Sequence, residues 1–137
     1  MPVEPQMIRE GDSAAVDPQG RYLIVQLNEK NDVRLVRVPI SGGQEQPLSF
    51  PDVPLAPPLM SSNAVRSDGT IIQTASYSDS STFTVVVLNP ATGKAQRITW
   101  PFFLDTDFAG WTASGQIVAF TGKMNATIWR LRPVIKQ

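Results

Sequence analysis

Apolar residues run in short blocks along this chain, and turn-forming residues separate the blocks. "RYLIVQLNE", "VRLVRVP", "TIIQTASYS", "FTVVVLNP" and "QIVAFTGK" are rich in Val, Ile, Thr and aromatics. Each is too short for a helix and predicts a strand. Polar tips "KND" and "DSS" join the first four blocks in pairs, and "MNA" joins the fifth to "TIWRLRP". Strands joined by short turns pair antiparallel. The block Val85–Leu88 is apolar at every position. A strand covered on one face would alternate, so this one predicts cover on both faces, as in stacked sheets.

The blocks recur. Turns "DPQG", "RSDG" and "TASG" end at Gly20, Gly69 and Gly115, a period in the high forties. A strand, a polar tip and a second strand follow each turn, closed by Pro39, Pro90 and Pro133. In the first two units a further Gly turn, "ISGG" or "ATGK", leads to a short run ending at Phe50-Pro51 or Trp100-Pro101. "AAVD", "SNAV" and "DFAGW" supply a first strand ahead of the Gly turns. Each unit thus predicts a small four-stranded sheet, and the chain holds three of them.

The pattern D-x-x-G-R-x-apolar, a polar tip, then "LVRVPISGGQEQPL" resembles the TolB-type, WD40-like bacterial β-propeller repeat, over essentially the whole chain. The first unit carries the likeness best, and the third departs from it at "TASG". The Trp-Asp and Gly-His signatures of eukaryotic WD40 repeats are missing. The resemblance implies an all-β fold of three four-stranded antiparallel propeller blades, either a partial, open propeller or half of a six-bladed ring. Blade one covers about 11–51, blade two about 60–101 and blade three about 106–137.

Nothing after "RPVIKQ" supplies a last strand for the third unit. Residues 5–10, "PQMIRE", stand before the first unit where "QPLSF" and "QRITW" stand before the others, and they predict a closing strand for the last blade. Three blades are fewer than the roughly four that close a ring. The preferred expectation is that the chain is the C-terminal part of a larger propeller. If the chain is complete, a homodimer by strand exchange is expected instead.

Composition narrows the chemistry. Twelve Lys and Arg balance twelve Asp and Glu, so nothing draws in nucleic acid or an anionic membrane from a distance. Without His, a Ser-His-Asp triad is impossible within the chain. Without Cys, disulfides, thiol nucleophiles and Cys-type zinc sites are excluded. No G-x-S-x-G elbow occurs, and Gly42-Gly43 lacks the Lys and helix of a phosphate loop. No apolar run reaches the length of a membrane span, and "MPVEPQMIREGD" lacks the regions of a signal peptide. No cofactor or metal is expected.

In a propeller, hairpin tips and the links between blades share one face. The tips Asn28–Asp32 and Ser78–Thr82 carry Asn31 and Asp79, and the link "PFFLDTD" carries Phe102, Phe103, Asp105 and Asp107. Phe102 and Phe103 are candidate anchors for a partner, against the plainer role of plugging the gap between sheets. Asp105 and Asp107 offer oxygens, but two carboxylates do not define a Ca²⁺ site, and Asp often caps a turn. "DVPLAPPLM" reads as a stiff connector.

These features predict a non-enzymatic scaffold that binds a protein or peptide partner, with no nucleic acid and no membrane insertion. The resemblance implies bacterial origin and a periplasmic or extracytoplasmic setting. It also implies an alternative, the propeller portion of a larger hydrolase such as a prolyl-oligopeptidase-like peptidase, with the catalytic domain outside this chain.

Overall fold

A computed structural model describes residues 3–99, 105–123 and 127–130. Among these the secondary structure is all β, in three antiparallel sheets, none of them closed. No helix among them is long and apolar enough to cross a membrane.

The first sheet is a four-stranded meander, β1 (Ser13–Val16), β2 (Tyr22–Glu29), β3 (Asp32–Pro39) and β4 (Gln46–Leu48). Its register pairs Ile24 with Arg37 and Val25 with Val36, so alternate side chains part cleanly. Ala15, Ile24 and Leu35 face the main core, and Val25, Val36 and Val38 form a separate cluster on the outward face.

The second sheet has three strands, β5 (Ile71–Ala75), β6 (Thr84–Asn89) and β7 (Lys94–Arg97). Both its faces are covered. The neighbours Val85 and Val86 point to opposite faces of β6, and both are fully buried. The third sheet is the hairpin β8 (Asp105–Trp111) and β9 (Ile117–Gly122), with β8 packed on β5 and β6.

Among the described residues, four strands per unit are therefore found only in the first. In the second, the expected first strand at "SNAV" shrinks to an isolated bridge between Val65 and Ile71. The cause is local. Ser61-Ser62-Asn63 form a turn, closed by the Ala64 amide on the Ser61 carbonyl, which bends the chain away from β5.

The remaining edge of β5 is filled by the Pro-rich link. Leu55 bridges Ala75, the Ala56 amide donates to the Thr74 carbonyl, and Ser76 donates to Pro54. Pro57 and Pro58 have no N–H, so the strand cannot continue. Their carbonyls instead accept hydrogen bonds from the Gln26 side-chain amide. "DVPLAPPLM" is thus more than a connector, with Ala56 and Met60 in the core.

In the third unit, residues 127–130 form no strand and are exposed. β9 alternates between half-buried and exposed positions, so a strand added beside it would gain cover on one face only. The expected closing strand over residues 5–10 is not formed within the chain either. This segment turns back over the first sheet, where Arg9 pairs with Glu45.

One buried polar centre joins the first two sheets. Gln26, fully buried in β2, accepts hydrogen bonds from the Met60 amide and from Gln73 Nε2 at 2.9 and 2.8 Å, and from Ser13. Its own amide donates to Asn28 as well as to the Pro57 and Pro58 carbonyls. With both ends satisfied, a buried Gln fixes the register of the link against both sheets instead of weakening the core.

Candidate functional site

A glycine with positive φ closes the turn after the first segment of each unit: Gly20 at +67°, Gly69 at +86° and Gly115 at +79°. In each, its amide donates to the carbonyl three residues earlier, on Asp17, Arg66 or Thr112, at 2.7, 2.8 and 3.0 Å. Only glycine takes this conformation without steric cost.

Side chains hold the three turns differently. The buried Asp17 carboxylate accepts from the Arg21 backbone amide and guanidinium, the shortest contact being 2.7 Å. Asp68 accepts from Arg66, the Thr70 hydroxyl and the Thr70 amide. In the third turn, Thr112 accepts from the Gln116 amide and bonds Ser114. These guanidinium and hydroxyl partners hold the Asp17 and Asp68 carboxyls below the usual carboxylate range, Asp68 most strongly.

The three turns border one groove of about 760 Å³. Val16 and Pro18 come from the first unit, Ser62–Asn63 and Val65–Ser67 from the second, and Trp111–Gly115 from the third. Its walls are apolar at Val16, Pro18, Val65, Trp111 and Ala113, and hydrogen-bonding at Ser62, Asn63, Ser67, Thr112 and Ser114.

The floor is firmly built. Trp111 and Asn63 are joined twice, by the Trp111 amide on the Asn63 carbonyl and by Asn63 Nδ2 on the Trp111 carbonyl, both at 2.9 Å. A methyl at Gly110 would run into the Asn63 amide, so glycine is what lets the two segments meet. The Arg66 guanidinium lies 4.4 Å from the centre of a Trp111 ring while bonded to Asp68. Trp111 is buried, and its indole N–H has no partner among the described residues.

Among the described residues, the groove carries no acid–base pair. Neither a carboxylate nor an imidazole among them lines it beside Ser62, Ser67 or Ser114. Among the described residues, no three His, Cys, Asp or Glu side chains gather as a metal site.

The residues singled out in the sequence lie elsewhere. Asn31 is exposed at the β2–β3 tip, at the far end of these strands from the Gly20 turn. Asp79 is exposed in the β5–β6 loop and paired with Arg97 at 2.9 Å, which lowers its pKa. Asp105 opens β8 half-buried, and its carboxylate accepts from the Phe83 amide at 2.8 Å, a tie between the second and third units. Asp107 is exposed two residues on. Phe102 and Phe103 lie outside the described residues.

Asp79 thus ties the β5–β6 loop to β7 and Asp105 ties the same loop to β8, and no hydrogen bond or ion pair joins Asn31 to them. The groove residues escaped sequence reasoning, although its markers, the three Gly turns, were visible. What was missing was that the ends of three separate segments converge. Compared with protein-family models, curated proteins and solved structures, the chain matches none of them.

Proposed function

We propose that the chain is a propeller-type stack of blade-like sheets that serves as a non-enzymatic scaffold and holds an extended peptide segment of a protein partner in the groove. The convergence of the three similarly closed Gly turns on that groove carries the reading. A propeller gathers its inner strands around an axis, and on this reading the segments ending at Val16, Arg66 and Trp111, which all reach the groove, are those inner strands. The lining favours a neutral, amphipathic ligand. Hydroxyl and amide groups can meet a peptide backbone, the apolar walls can take side chains, and the single lining cation is already paired with Asp68.

An array of unstructured 15-residue peptides, probed with the purified chain, tests this directly. Binders should lose at least tenfold in affinity with Ser114→Trp, which fills the groove, and be unmoved by Asn31→Lys or Asp107→Lys. The opposite pattern would transfer the binding site to the hairpin-tip face and overturn the groove assignment.

A further inference from the structure

The outward face of the first sheet ought to be bare. It ends the stack, yet Val25, Val36 and Val38 are only 3%, 3% and 7% exposed. The N-terminal segment accounts for this. Gly11 lies so close to Val25 and Leu27 that a methyl there would collide with Val25. Asp12 is bound twice along the β1 edge of β2, its amide donating to the Gln26 carbonyl and its carboxylate accepting from the Asn28 amide. Arg9, two residues before Gly11, makes a two-pronged ion pair with Glu45, next to β4 at the opposite edge. A chain fixed at β2 and again beside β4 crosses the outward face between them.

Among the described residues, the other end of the stack has no such cover. On β8 and β9, Phe108, Val118 and Phe120 are 48%, 56% and 58% exposed on the face turned away from the second sheet. Phe108 and Phe120 stack at 5.3 Å between ring centres. One end face is therefore strapped and the other open, while inside the chain equivalent apolar faces pack directly on each other.

We propose that residues 8–11 are an autoinhibitory end cap: a strap that holds the first sheet closed to a second copy of this chain, whose open Phe108–Val118–Phe120 face is the surface that would otherwise stack there. Adding the copy extends the internal stack without a new kind of contact. Such head-to-tail contacts propagate unless an end is blocked, and stacked-repeat proteins need polar caps for that reason. The strap is held at its far end by one solvent-accessible ion pair, which makes it removable. This inference is independent of the groove and its ligand.

The test uses the full chain and light scattering coupled to size exclusion over a hundredfold range of concentration. Arg9→Glu should lower the concentration for half-association at least tenfold, with unchanged β-type circular dichroism. The charge swap Arg9→Glu with Glu45→Arg should restore the original behaviour. Gly11→Val, which lifts the strap from Val25 without touching the ion pair, should act like Arg9→Glu. Adding Phe120→Lys to either strap variant should abolish the gain. If both strap variants keep the wild-type mass profile, the cap does not exist. If association survives Phe120→Lys, the open third-sheet face is not what docks.

Discussion

The first and third sheets stand at opposite ends of one stack and began from the same sequence pattern. The first has four strands, two of them eight residues long, and a strap over its outward face. The third has two strands among the described residues and a face that exposes Phe108, Val118 and Phe120. Strand propensity does not separate them, because "QIVAFTGK" is as β-prone as "RYLIVQLNE". The difference is cover. A strand gains stability in proportion to the apolar area its two faces lose to neighbours, and β2 has neighbours on both faces while β9 has them on one. The second sheet, covered on both sides, shows the limit: all of β5 is buried.

Breaking the shared centre should erase the contrast between the two ends. Val86→Asp places an unpaired carboxylate in the second sheet and should cost several kcal/mol, roughly 3–5, enough to unfold a domain of this size. Loss of the cooperative melt by circular dichroism is the expected result; a cooperative melt near the wild-type temperature would mean that the ends do not depend on the middle.

Gly110→Ala should sharpen the contrast. Its methyl displaces the Asn63 amide and costs about 1–3 kcal/mol as a local overpacking. Hydrogen exchange should accelerate in β8 and β9 and stay slow in β2 and β3. Equal acceleration in both would show that the third sheet supports the first.

Asp17→Asn is the counterpart at the other end. It removes the charge from a buried carboxylate bonded to Arg21 and should cost about 1.5 kcal/mol, read from urea melts, with β1–β2 exchange rising and β8–β9 unchanged.

The smallest effect belongs to Asp68, at a partly exposed turn between the ends. Its carboxyl is depressed by Arg66 and Thr70, so its contribution is complete above the ordinary carboxylate range and is lost only as pH falls through the lower, folded-state value. Asp68→Asn should therefore lower stability by at most about 1 kcal/mol at pH 7, and the gap to wild type should persist at pH 4 and close only in stronger acid. A gap that has already vanished at pH 4 would mean that the Arg66 pairing does not form in solution.

Most strands were legible because their signals are local. Gly20, Gly69 and Gly115 announce turns, and the blocks between them have the length and residue types of strands. "SNAV" misled because the Ser-Ser-Asn turn ahead of Val65 outweighs its apolar end. "PQMIRE" misled because its position suggested an edge to complete, whereas Arg9 finds its charge partner on Glu45, 36 residues away. Asp105 was picked out for its charge, and its partner, the Phe83 amide, could not be foreseen from spacing.

What the sequence alone determined is the all-β class, the turn positions and the doubly covered Val85–Leu88 block, since each rests on backbone preferences and hydrophobic alternation within a few residues. Only the tertiary structure decided that the Pro-rich link completes the edge of β5, that Gln26 and Gln73 meet in the core, that three turns border one groove and that one end of the stack is strapped while the other is open. Each of these depends on partners distant in sequence, and the energy of such contacts exists only once the sheets have stacked.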